Sequence, residues 1–130
     1  GMCMSYMGFV AVGVGAALGA WGRWLLGLYL NPVFAALPLG TLVANLVGGY
    51  LMGLAIGAFA FGYVASAEWR LFITTGFLGG LTTFSAFSAE AMGMLTEQQY
   101  GWATAHILGH VLGSLLMTAA GMLTIYLIKH

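Results

Sequence analysis

The chain has 130 residues, of which 62% are hydrophobic and 5% charged, with three basic residues balancing three acidic ones. That composition excludes a soluble domain, where about a quarter of residues are charged, because so small a protein has too much surface to hide this much apolar area. It also excludes nucleic acid as a partner, since three basic residues cannot neutralise a phosphate backbone.

Lipid is the solvent that suits such a chain. The 21 glycines point the same way, because glycine lets membrane helices approach closely. A single cysteine, Cys3, rules out an intrachain disulfide framework. Gly1 ahead of Met2 reads as a cloning scar and is set aside. A helix needs about 20 apolar residues to cross a bilayer. Four stretches qualify, at about 7–30, 39–64, 68–95 and 100–128, in one membrane domain spanning 1–130.

The first span ends at Asn31-Pro32, where proline disfavours helix in the residue before it. It is too long for a signal peptide and carries Arg23, so it is kept as a mature helix. Residues four apart share a helix face, which aligns Gly15, Gly19, Arg23 and Gly27. The second span follows Pro38 and aligns Thr41, Asn45, Gly49, Gly53 and Gly57. Glycines at this spacing are foremost a helix-packing signal.

The third span contains Gly79-Gly80 followed by Thr82-Thr83, a poor helix former, and is predicted to break there. Broken backbone at membrane depth is tolerated only when buried in protein or lining a cavity. Its freed carbonyls make an oxygen-rich site suited to a small cation. After the break, Phe84 and Phe87 lie three apart on one face, and Ser85 and Ser88 are likewise paired. An aromatic edge is weakly positive, and the Asn45 amide and the serine hydroxyls can donate hydrogen bonds. Together they could replace part of an anion's water; two ordinary core phenylalanines are the alternative. Arg23 and Glu90 fall within spans, where a central arginine costs at least about 2.5–3.5 kcal/mol. Arg23 can instead snorkel, and Glu90 can bond to a neighbouring helix.

In the fourth span His106, His110, Ser114 and Thr118 form a polar file, with Gly109, Gly113 and Gly121 beside it. At 1.5 Å per residue the file extends over about 18 Å. Ser or Thr alone often bond back to their own helix, but two histidines in line with them favour a hydrated path.

The loops, 31–38, 65–67 and 96–99, are short. They predict antiparallel neighbours with both termini on one side. Arg70 is read on the side opposite the termini, Lys129 at the C-terminus and Arg23 inside a span. The basic residues that normally orient a membrane protein then stand one against one. Insertion both ways up, giving an antiparallel dimer, is one reading of that balance; a small protein with few charges is the other.

The chain resembles the Fluc family of bacterial fluoride channels along nearly its whole length. The resemblance rests on Gly19-Ala20-Trp21-Gly22-Arg23-Trp24, on Gly40-Thr41-Leu42-Val43-Ala44-Asn45, and above all on the long block from Gly76-Phe77-Leu78-Gly79-Gly80-Leu81-Thr82-Thr83 through Phe84-Ser85-Ala86-Phe87-Ser88-Ala89-Glu90. It implies an all-α, dual-topology homodimer in the inner (plasma) membrane, with two antiparallel pores. It further implies passive, selective fluoride export that protects the cytoplasm. By motif, Phe84 and Phe87 would line the pores with Asn45 as polar partner. Ser85, Ser88 and Thr118 would form a polar track, joined by Ser114, His106 and His110. Glu90 would sit near a pore end, and Arg23 would place positive charge at a vestibule. Backbone carbonyls of Gly79 and Thr82 from both subunits would hold a structural Na⁺.

Three other functions are weighed. A small multidrug transporter needs a carboxylate in its first helix, and this one has an arginine instead. An intramembrane enzyme is opposed by the absence of aspartate and of a nucleophile elbow or HExxH motif. His106 and His110 lack a carboxylate or thiolate on their own helix to complete a metal site. A purely structural subunit would not need the buried polar file.

Overall fold

The computed structural model describes residues 5–129, so Gly1 and Cys3 lie outside the described residues. The described chain is all-helical. Helix α1 covers Tyr6–Leu30 and α2 Leu39–Ala60. A composite segment, α3, runs from Ala67–Leu71 through a wide π-helical stretch at Phe72–Leu78 to Gly79–Leu81. Helices α4 and α5 cover Phe84–Thr96 and Tyr100–Lys129. Four segments are long and apolar enough to cross a membrane: Tyr6–Val33, Leu39–Ala60, Ala67–Thr96 and Tyr100–Lys129.

Local chemistry sets the helix ends. Ser5 Oγ accepts from Gly8 N–H to start α1. Pro38 offers no capping side chain, and Asn31 Oδ1 instead accepts from Gly40 N–H at 2.7 Å. Helix α2 stops at Ala60, four residues short of the expected end at 64. Gly62 takes φ +77°, Gly62 N–H bonds to Phe59 O, and Tyr63 N–H bonds to Ala58 O. That is the Schellman closure, which needs a left-handed residue and is easiest for glycine. Gln98, at φ 60°, closes α4 in the same way, with Gln99 N–H on Met94 O.

Between α3 and α4 the backbone of Thr82 (φ −88°, ψ 157°) and Thr83 (φ −150°, ψ 122°) is extended. Thr83 then caps α4, its Oγ1 accepting from Ala86 N–H at 3.1 Å. Arg23 reaches from α1 to this region, donating from Nε to Gly80 O at 3.1 Å.

Helix α1 packs along α3, and α2 packs along α5. Both contacts run backbone to backbone. A Cβ on Gly15 would lie 2.6 Å from Phe72 O. One on Gly19 or Gly80 would collide with Phe77 O or Ala16 O, and one on Gly53 or Gly121 with Thr118 O or Tyr50 O. The glycine stripes are therefore packing surfaces. A small core of Ala44, Leu78 and Leu81 joins α2 to α3.

One expectation is corrected. Arg70 does not lie opposite the C-terminus. Lys129 Nζ sits 5.5 Å from the Phe61 ring centre and 5.9 Å from that of Tyr63. Arg70 Nε donates to Val64 O at 2.7 Å, with its guanidinium 4.9 Å from the Phe59 ring centre. The second crossing brings the chain back to the end where it began. Arg70 and Lys129 thus share one end, and the charges do not balance across the span as expected.

Candidate functional site

The interruption at Thr82 and Thr83 orients the site, because it sets free a peptide that Asn45 then holds. Asn45 Oδ1 accepts from Thr83 N–H at 2.8 Å, and Asn45 Nδ2 donates to Thr83 O at 3.0 Å. A side-chain amide offers one acceptor oxygen and two N–H donors, and Asn45 is half-buried. The third partner is on α5: Asn45 Nδ2 lies 3.0 Å from His110 Nδ1.

An open groove of about 430 Å³ runs past this clamp. Its walls include Asn45, Phe84, Phe87, His110, Ser114 and Thr118, together with Gly79 and Thr82 from the edge of the interruption. Eight residues singled out from the sequence thus meet on one surface. Phe84 and Phe87 contact edge to face, with ring centres 5.6 Å apart at 67°. Phe84 is 77% exposed in the single chain, whereas Phe87 is 8% exposed. Phe87 is covered by the two imidazoles, 5.3 Å from His106 and 4.6 Å from His110. Thr118 Oγ1 donates back to Ser114 O at 2.9 Å, so its proton is used within α5.

Behind Phe87 lies a second polar cluster. Glu90 Oε2 accepts from Thr41 Oγ1 at 2.7 Å. Glu90 Oε1 approaches His106 Nε2 at 3.2 Å. The imidazoles of His106 and His110 stand 4.5 Å apart, edge to face. Both histidines are buried. One ligand-type atom each of Glu90, His106 and His110 falls within 4.8 Å of the others. Glu90 also borders a separate cavity of about 280 Å³ at the loop end, beside Asn31, Pro38, Glu97 and Gln99. A file of polar groups therefore leads from this loop-end cavity, past Glu90, His106 and His110, to the groove.

Arg23, Ser85 and Ser88 border neither cavity. Ser85 Oγ lies 3.3 Å from Thr83 Oγ1 and is exposed. Two residues that the sequence reading named without a site role are central. Thr83 supplies both the peptide that holds Asn45 and the cap of α4. Thr41, buried, supplies the hydroxyl on Glu90. A mid-span asparagine and a break that frees an N–H and a C=O are complementary needs, and that signal was present for Thr83.

The interruption frees particular carbonyls. In a continuous helix Gly79 O would accept from Thr83 N–H, and Thr82 O from Ala86 N–H. Here Thr83 N–H goes to Asn45 and Ala86 N–H to Thr83 Oγ1. Gly79 and Thr82, both on the groove wall, are thus among the positions whose carbonyls lose their helical donors; Gly80 O, released in the same way, accepts from Arg23 Nε.

Residues 10–122 match the family described as CrcB-like protein, Camphor Resistance (CrcB). The chain is 57% identical over 121 residues to the fluoride-specific ion channel FluC of Cupriavidus pinatubonensis, covering 93% of this chain and 96% of that one. It is 55% identical over 122 residues to that of Dechloromonas aromatica, covering 94% and 90%. With that of Nitrosospira multiformis the identity is 53% over 128 residues, covering 98% and 100%.

Proposed function

This chain belongs to the CrcB-like family, and from that premise we propose that it is a fluoride-selective channel, not an enzyme, which lets the anion leave the cytoplasm down its gradient. It is a multi-pass membrane protein, placed by this reading in a bacterial inner membrane as one four-helix domain. The observation that carries the reading is the groove, where the Phe84 and Phe87 edges meet Asn45, His110, Ser114 and Thr118. Weakly positive aromatic edges, with the neutral donors of His110 and Ser114 beside them, attract an anion without the tight grip of a fixed charge. A proton-coupled drug transporter is disfavoured by the lack of any carboxylate on α1. Reconstituted liposomes are expected to release fluoride and retain chloride.

The groove also supports a dimer. It is open on one side, and its wall includes the interrupted backbone at Thr82 and Thr83, which at membrane depth requires protein cover. A second copy seated on it, antiparallel to the first, would enclose Phe84 and complete two pores. The charges at the ends do not carry this part of the reading, because Arg70 and Lys129 share one end. A cysteine placed at Gln98 in a Cys3→Ser background should react with an impermeant maleimide from both faces of the membrane in similar amounts. Labelling from one face only would contradict the dual topology.

Gly79 and Thr82 fit a structural Na⁺. Their donor-free carbonyls are hard oxygen ligands, and two from one chain leave coordination positions for two from the other. The third span acts in this reading as a broken helix whose break holds the ion at the dimer centre. Replacing Na⁺ with a large organic cation during purification should shift the dimer towards monomer. An unchanged dimer with unchanged flux would remove the ion from the account.

A further inference from the structure

We infer that Asn45 is a positioning residue rather than a fluoride ligand, and that it holds His110 as the tautomer whose Nε2–H is the donor presented to the anion. The inference rests on the channel reading above and deepens it.

The orientation of the Asn45 amide is not free. Its Oδ1 faces the Thr83 N–H, at 2.8 Å, and its Nδ2 faces the Thr83 carbonyl, at 3.0 Å. Reversing the amide would set donor against donor and acceptor against acceptor. One Nδ2 hydrogen is therefore used on Thr83 O. The other points to His110 Nδ1, at 3.0 Å. Both amide hydrogens are thus engaged, and Asn45 has none left for an ion.

The same geometry decides the imidazole. A nitrogen that receives an N–H must offer a lone pair, so His110 Nδ1 carries no proton. A neutral imidazole has one N–H, which is then on Nε2. This Nε2 is buried and has no hydrogen-bond partner among the described residues. A buried donor without an acceptor is unfavourable, and it is persistent here because the tautomer is set by a main-chain peptide through Asn45. His110 borders the groove, and its ring stacks on Phe87 at 4.6 Å. A neutral N–H donor of this kind suits a small, hard anion that accepts hydrogen bonds strongly.

The clamp also argues against Glu90, His106 and His110 as a metal centre. A metal on His110 Nε2 needs the lone pair there, which moves the proton to Nδ1 and against the Asn45 N–H. The neutral donor gives selectivity a physical basis: it offers a hydrogen bond without a net positive charge that would hold the ion.

The test is ¹⁵N NMR of the full-length, histidine-labelled protein in liposomes, with His110 assigned by its loss in His110→Gln. Protonated and unprotonated ring nitrogens are well separated in such spectra. The expected result is a protonated Nε2 and an unprotonated Nδ1, with the Nε2 signal moving on addition of fluoride and unmoved by chloride. Asn45→Leu should lose the single tautomer. In flux assays on the same liposomes, His110→Gln, which keeps an N–H at the Nε2 position, should retain most activity. His110→Asn, whose amide reaches only the Nδ1 position, should lose about tenfold or more. An Nδ1–H tautomer, an Nε2 signal indifferent to fluoride, or equal flux in the two variants overturns the inference while wild-type fluoride flux leaves the channel reading standing. Absence of wild-type flux overturns both.

Discussion

Asn45→Asp is expected to reduce fluoride flux by about a hundredfold or more while the protein still assembles. Aspartate keeps an oxygen for Thr83 N–H but brings a second oxygen against Thr83 O and His110 Nδ1, where Asn45 Nδ2 now donates. Each buried acceptor left without its donor costs about 1–3 kcal/mol. The new carboxylate also stands on the wall of the groove proposed as the anion path, where its negative charge would repel the ion. Every 1.4 kcal/mol is about tenfold, so the unpaired acceptors alone have a large effect. Proteoliposome efflux, with the assembled fraction measured by size exclusion, checks the outcome. A fully active variant would remove Asn45 from the conduction path.

Phe84→Ile and Phe87→Ile should each lower fluoride flux by about tenfold or more and leave assembly intact. Isoleucine fills space without an aromatic edge, so the edge-to-face pair at 5.6 Å is lost. Such a pair contributes about 0.5–1.5 kcal/mol beyond area burial. The two variants differ in what else they disturb. Phe84 is largely exposed in the single chain, so its loss bears on the pore and on the face that a second copy would cover. Phe87 is buried under His106 and His110, so its loss also loosens the two imidazoles. Its effect on flux should be the larger. Unchanged flux in both would leave the groove without its principal anion-facing surface.

Hydropathy and length made the four spans legible, because lipid imposes one requirement on every span and leaves little room for other patterns. The file on α5 was legible for the same reason that any helix face is: His106 and His110 are four apart and both turn inward. The end of α2 was less visible. It depends on a left-handed glycine, Gly62, and hydrophobic residues continue past it to Val64. The misplaced end of Arg70 came from the crossing count rather than from chemistry.

Partnerships between distant residues were the least legible part. Asn45 reads as a donor in sequence, and only its pairing with Thr83, 38 residues away, and with His110, 65 residues away, shows that its hydrogens are already engaged. Thr41 and Glu90, 49 residues apart, meet in the same manner. Ser85 and Ser88 follow the helical spacing of the phenylalanines but do not line the groove of their own chain.

The most direct test of the central claim is ion efflux from liposomes containing the purified protein, with valinomycin to balance charge and electrodes for fluoride and chloride. The account predicts rapid release of fluoride with chloride retained. Retention of both ions by protein shown to be folded and inserted, or equal release of both, would contradict it.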